Sequence, residues 1–176
     1  MNPGLRIHSF PPLSSRHAHT LILGSMPGRE SLARQRYYAH PRNSFWRIVC
    51  ELLEITATDY ADQVSQVSTR GIAIWDVLQT CIRNSSLDSD IDDNSIVSND
   101  FKKFYEQHSG ITRVFFNGAK AEAVYIKHVL PGLAARQAEI ELQRLPSTSP
   151  AHASMSIAQK LEKWQVILQE PSPHIA

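Results

Sequence analysis

The strongest constraint on this chain of 176 residues is an alternation of short continuous apolar runs with stretches of helical periodicity. Leu21-Ile22-Leu23, Ile72-Ala73-Ile74-Trp75 and Val114-Phe115-Phe116 are unbroken, as strands buried on both faces require. They predict strands over His19–Gly24, Gly71–Val77 and Arg113–Gly118. A fourth strand is predicted over Ile140–Ser147; it is more polar and is expected nearer an edge. Between them, Phe45, Val49, Leu52 and Leu53 follow helical spacing, as do Phe101, Phe104, Tyr105 and His108 after Asn99 as the expected N-cap. Ala121, Val124, Tyr125 and Val129 make a third helical set. Ile157, Leu161, Trp164 and Leu168 make a fourth, opened by a Ser156-x-x-Gln159 capping box. Strand–helix alternation predicts an α/β fold with a parallel sheet covered on both faces. Ligands in such folds bind at the carboxyl ends of strands, so the segments after Leu23, Trp75, Phe116 and Leu145 become the places to look for chemistry.

The length suits a single domain, expected over 1–170, with Pro171 and Pro173 marking 171–176 as a loose C-terminal tail. A net charge of +1 neither announces nor excludes a nucleic-acid partner, because affinity for phosphate depends on local charge. Cys50 is expected in a helix and Cys81 in a loop after a strand. Two cysteines without a CxxC motif give no disulfide framework, and the chain reads as reduced and cytoplasmic. Met1 to Leu13 lacks the apolar stretch of a signal peptide, and no run is long enough to span a membrane.

Four places carry candidate chemistry. Gly24-Ser25-Met26-Pro27-Gly28 follows the first strand; it is either an ordinary strand-to-helix turn or a turn whose N–H groups face a ligand. Tyr37-Tyr38-Ala39-His40-Pro41-Arg42-Asn43-Ser44-Phe45-Trp46 concentrates aromatic, cationic and amide groups. Its aromatic rings suit base stacking, or they pack the core while Asn43 caps the helix that follows. Leu145-Pro146-Ser147-Thr148-Ser149-Pro150-Ala151-His152 offers hydroxyl donors to phosphate, or a solvated turn before the last helix. Asp76 and Asn117 end the second and third strands, where each caps a turn or meets a ligand. The run Asp88-Ser89-Asp90-Ile91-Asp92-Asp93 reads as a solvated loop: an EF-hand needs Gly where Asp93 stands and Glu where Asn99 stands. No histidine spacing matches a metal motif, and no metal or cofactor is expected.

Taken in order, these segments, together with Trp75-Asp76-Val77-Leu78, Ser86-Leu87-Asp88 and Phe116-Asn117-Gly118, resemble the hypoxanthine-DNA (deoxyinosine) glycosylases of the uracil-DNA glycosylase superfamily. The likeness runs from about Leu21 to Trp164, and the long second motif is the specific one. It implies a three-layer α/β/α sandwich around a four-stranded parallel sheet. It also implies a monofunctional, cofactor-free enzyme, acting as a monomer on double-stranded DNA that contains deaminated bases. Such enzymes flip the nucleotide out and cut its N-glycosidic bond with water. Ser25 and Met26 stand where the uracil branch has an acidic residue, and Leu145 where it has a His. The resemblance transfers catalysis to Asn43, by positioning water. Base binding falls to Ser25, Met26, Tyr37, Tyr38, Asp76 and Asn117. Phosphate binding falls to Gly28, Ser147, Thr148, Ser149 and His152, the last at a position where the family usually carries Asn. The Tyr37-Tyr38 segment is expected to stack on the flipped base, and an ionised Asp76 to accept from hypoxanthine N1–H. A uracil- or mismatch-directed glycosylase, or a non-catalytic nucleic-acid-binding protein, are the alternatives on the same scaffold.

Overall fold

The computed structural model describes residues 5–169. The 171–176 tail lies outside them. The strands are β1 (Arg6–His8), β2 (Thr20–Gly24), β3 (Ile72–Asp76), β4 (Leu78–Ile82), β5 (Val97–Ser98), β6 (Arg113–Asn117) and β7 (Glu141–Leu145). The α-helices are α1 (Arg29–Arg34), α2 (Phe45–Leu52), α3 (Tyr60–Thr69), α4 (Phe101–Gln107), α5 (Ala119–Val124), α6 (Ala135–Ala138) and α7 (Ile157–Trp164).

The four predicted strands form one parallel sheet in the order β3-β2-β6-β7. The three apolar runs occupy β3, β2 and β6, every residue of which is buried. The more polar β7 is at an edge, as expected. The opposite edge, β3, is closed by the N-terminal segment, where Leu13 N–H donates to Ile74 O and Ile74 N–H to Leu13 O. One face of the sheet meets α2 and α7, whose Phe45 and Trp164 rings touch edge-on at 5.9 Å. The other meets α4 and the turn that follows α5, through Trp75 on Phe101 and Phe116 on Tyr125. These layers make the three-layer sandwich. Phe45, Phe115, Phe116 and Leu21–Leu23 are fully buried, and each such side chain contributes about 1.5–3 kcal/mol.

Local chemistry sets the element ends. In α7 both halves of the capping box form: Gln159 N–H donates to Ser156 Oγ at 3.2 Å, and Ser156 N–H to Gln159 Oε1 at 2.8 Å. The helical pattern over 121–129 is realised as α5 followed by a π turn, Tyr125–Val129. The cap of α4 is Asp100, which accepts from Lys103 N–H, and not Asn99. Asn99 instead donates its Nδ2 to Asp76 O and Leu78 O, tying this loop to the end of β3.

A second, three-stranded antiparallel sheet, β1-β4-β5, was not anticipated. After Asp76 the chain bends at the single residue Val77 and leaves the parallel sheet as β4. Cys81 therefore sits in a strand, not in a loop. No described helix is long and apolar enough to cross a membrane.

Candidate active site

The register aligns the ends of the strands. Gly24 pairs with Asp76, and Asn117 with Leu145 one step past Leu23–Phe116. Above them opens a cavity of about 380 Å³, lined by the segments after all four strands and by the 37–43 loop. Ser25, Met26, Gly28, Tyr37, Tyr38, Asn43, Asp76, Asn117, Ser147, Thr148, Ser149 and His152 all line it. The four carboxyl ends and the aromatic loop thus converge as the sequence predicts.

Their contacts divide their roles. Tyr37 is no stacking platform. It is buried, its ring stands edge-on to Phe10 at 5.2 Å, and its hydroxyl donates to Phe10 O and Pro11 O. The N-terminal segment packs on the ring and fixes its hydroxyl. Tyr38 lies half-buried over Phe45, with ring centroids 3.8 Å apart and planes 20° from parallel. Its backbone is left-handed, with φ of 54°. The hydroxyl sits buried near Asn117 and Asp76 without a well-formed hydrogen bond among the described residues. Burial first, then the Asp76 charge, keep this phenol protonated and hence a donor.

Asp76 is almost wholly buried. Ser9 Oγ donates to its Oδ2 at 2.6 Å. Its Oδ1 packs so closely over Gly24 that a Cβ there would stand 2.5 Å from it and 3.0 Å from the Tyr38 hydroxyl. Only glycine admits this approach. Burial pushes the Asp76 carboxyl up from 3.8 to about 7; Ser9 and Arg83 work against the shift and Asp88 adds to it. The expectation of a fully ionised carboxylate is therefore corrected: near neutrality Asp76 exchanges between an acceptor and a neutral acid that also donates.

Asn43 Oδ1 accepts from Phe45 N–H at 3.0 Å, so the side chain does cap α2. It also lines the cavity, and its Nδ2 has no partner among the described residues. The cap and the cavity roles are compatible, because a carbonyl oxygen has two lone pairs.

Asn117 and Thr148 form a closed pair. Asn117 Nδ2 donates to Thr148 Oγ1 at 2.9 Å, and Thr148 N–H donates to Asn117 Oδ1 at 2.8 Å. Both are buried, so Asn117 holds the 147–152 loop and Thr148 is its anchor. Ser147 Oγ accepts from Ser149 N–H and Ser149 Oγ from Ala151 N–H, which leaves both hydroxyl protons to donate outward. Lys160 Nζ donates to His152 O and fixes the far end of the loop.

Two contributors escaped sequence reasoning. Ser9 lies outside every motif. Asp88 belongs to the acidic run read as a solvated loop, and Asp90, Asp92 and Asp93 are indeed exposed. Asp88 is turned inward, lines the cavity and accepts from Ser25 Oγ at 2.6 Å. The one sequence signal was the Ser86-Leu87-Asp88 element of the resemblance, to which no role was attached. No cluster of three or more His, Cys, Asp or Glu among the described residues is placed to hold a metal ion.

Comparison with known proteins agrees with this geometry. Residues 11–170 match the uracil DNA glycosylase superfamily. A protein of Methanosarcina acetivorans named hypoxanthine DNA glycosylase is 32% identical over 162 residues, covering 91% of this chain and 96% of the relative. A protein of the same name from Methanosarcina barkeri is 30% identical over 119 residues, 66% of this chain and 74% of the relative. A solution NMR structure from Methanosarcina acetivorans, provisionally described as a uracil DNA glycosylase, aligns with a TM-score of 0.76 at 30% identity. That alignment covers 93% of this chain and 96% of the other. By the length of its family match and by these relatives, the chain belongs to the uracil DNA glycosylase superfamily.

Proposed function

We propose that this protein is a monofunctional DNA glycosylase that removes hypoxanthine from double-stranded DNA. On this reading it binds as a monomer in the cytoplasm, flips the deaminated nucleotide into the cavity and hydrolyses its N-glycosidic bond. The observation that carries the reading is the convergence of Asn43, Asp76 and the unpartnered Tyr38 hydroxyl around one cavity at the carboxyl ends of the strands. Hypoxanthine presents N1–H beside O6. Asp76 Oδ1 accepts from N1–H when ionised, and the Tyr38 hydroxyl is a donor for O6. Adenine reverses both groups and leaves buried polar atoms unpaired, which is how such a site discriminates.

Asn43 is the catalytic residue in this reading. Held rigid by its cap to α2, its amide positions the attacking water, so its contribution is orientation rather than proton abstraction. Ser147 and Ser149, with His152 and the backbone of Gly28, hold the phosphates beside the flipped nucleotide. Thr148 serves through the loop it anchors.

Uracil removal is the second reading, because uracil N3–H satisfies Asp76 equally well. Excision assays on matched duplexes containing inosine, uracil or no lesion are the test. Release of hypoxanthine above uracil is the expected result. Release of uracil alone transfers the activity to the uracil branch. Binding to all three duplexes with no release makes the protein a non-catalytic DNA binder.

A further inference from the structure

The segment that carries Asp88 is fastened over the turn after β2 by a row of contacts. Ser25 Oγ donates to Asp88 Oδ1 at 2.6 Å. Arg29 N–H donates to Ser86 Oγ at 3.1 Å, and Arg29 Nη2 donates to Asn84 O. Arg83, itself buried, donates Nη2 to Pro27 O. Ser86 packs on Gly28, whose missing Cβ would lie 3.8 Å from it. Residues 83–88 and 25–29 are therefore one preorganised unit, and Asp88 is its carboxylate inside the cavity.

Ser25 occupies one oxygen of Asp88, and the other has no hydrogen-bond partner among the described residues. The carboxylate is thus aimed and held, yet keeps an acceptor free. Asp76, the other acid lining the cavity from a strand end, is held by Ser9 and closed over Gly24. Of the two, Asp88 is the less buried, and its free oxygen is the acceptor not already assigned to the base.

We propose that Asp88 is the general base of this active site, fixed in place by Ser25. The inference rests on the glycosylase reading above. Water held by Asn43 attacks C1′ of the flipped nucleotide and forms the new C–O bond. The C1′–N9 bond breaks, and its electron pair leaves with hypoxanthine. The proton lost by water passes to the Asp88 carboxylate, which returns it to solvent while the departed base takes up one proton. The sum is nucleotide plus water giving an abasic sugar and neutral hypoxanthine. Asn43 and Asp88 thereby divide two tasks that one acidic residue would otherwise combine.

The charged groups acting on Asp88 are Arg83 and Lys120, which favour its ionised form. Burial opposes it and raises the carboxyl above its ordinary value, while the Ser25 hydrogen bond lowers it. Asp76 is close enough for the two acids to repel, and His40, His152, Arg29 and Glu30 line the same cavity. A base works only when ionised, so excision should rise with pH through the Asp88 titration.

The experiment measures single-turnover excision from an inosine duplex between pH 5 and 9 for the full chain, with DNA affinity measured in parallel. Asp88→Asn keeps the shape and can still accept from Ser25. It should lower the rate about 10²-fold or more, leave affinity within about threefold, and remove the Asp88 part of the acidic limb, leaving the part that Asp76 sets. Ser25→Ala should slow excision less than Asp88→Asn does and move that limb to higher pH, because a stabiliser of the ionised form is lost. Asp76→Asn should remove the part of the limb that Asp76 sets and keep the Asp88 part, moved to lower pH by the loss of a neighbouring acid. A folded Asp88→Asn protein with an intact rate and limb overturns the proposal. So does a Ser25→Ala profile that does not move, which also decides the matter if Asp88→Asn fails to fold. If the wild type releases no base from any duplex, the glycosylase reading itself has failed, and this assignment falls with it.

Discussion

The two walls of the cavity are built from opposite materials. One, from Gly24–Arg29, Asp76 and Arg83–Asp88, is made of charges: a buried acid and a half-buried one, a buried arginine and hydroxyls bound to the acids. The other, from Asn43, Asn117 and Ser147–Ser149, is made of neutral amides and hydroxyls that bond to one another and to backbone. Buried charge is costly to hold and sensitive to small shifts, which suits groups that read a base or move a proton. Neutral donors are cheap to hold, and they suit phosphates whose own charge is constant. On the proposed reading, the acidic wall sets pH dependence and base choice, whereas the neutral wall sets geometry and affinity.

Asn43 breaks this pattern most directly, since it is a neutral residue assigned to catalysis. Asn43→Ala should reduce single-turnover excision from inosine by about 10²–10³, or about 2.7–4 kcal/mol, with DNA affinity nearly unchanged. Loss of the cap on Phe45 N–H should also cost about 1 kcal/mol of stability. Asn43→Asp keeps a capping oxygen, so a stable but slow Asn43→Asp protein would separate the two roles. Wild-type excision by a folded Asn43→Ala protein would reduce Asn43 to a cap.

Asn117→Ala strips partners from two buried atoms of Thr148, the N–H and Oγ1. It should cost about 1–3 kcal/mol in urea unfolding, without moving the pH profile of excision. A shifted profile would mean that the neutral wall also carries electrostatic work.

Asp76→Asn tests the other wall through stability. The folded state raises Asp76 to about 7, against an ordinary 3.8, so folded protein keeps a proton that unfolded chain has released. Wild-type stability is therefore lost as pH rises from about 4 to about 7. Asn has no such proton, so the melting temperature of Asp76→Asn relative to wild type should climb across that window. Inosine excision should fall about tenfold, the value of one lost charged hydrogen bond, while adenine gains nothing. A pH-independent difference in melting temperature would place the titration elsewhere.

The smallest effect is expected from Ser147→Ala combined with Ser149→Ala. Each lost phosphate hydrogen bond is worth about 0.5–1.5 kcal/mol, and the loss should be equal for damaged and undamaged duplexes. A loss confined to inosine would mean that this loop reads the base.

The comparison also explains what the sequence discloses. Leu21–Leu23, Ile72–Trp75 and Val114–Phe116 are legible because a central parallel strand must be apolar on both faces. Once they are placed, the segments lining the cavity follow from the rule for strand ends. The antiparallel sheet is hidden because β4 begins one residue after β3, with no turn residue between them, and its partners are only three and two residues long. The α3 helix escapes notice because its only buried residue is Val67. Asp88 looks like its solvated neighbours, and only contacts with Ser25 and the Arg83 segment turn it inward. Tyr37 and Asn117 line the cavity. Their bonding to Phe10, Pro11 and Thr148, which fixes what they do there, is tertiary and leaves no local pattern.

The N-terminal segment has a consequence beyond closing a sheet edge. Ser9 stabilises the ionised form of Asp76, and Phe10 O accepts from both Tyr37 and Trp75. Ser9 and Phe10 precede the span that matches the superfamily, which begins at residue 11. A change at position 9 retunes an acid at the centre of the protein without altering a single residue of the shared motifs. A chain trimmed to the matched span would carry the right motifs with a weaker acid.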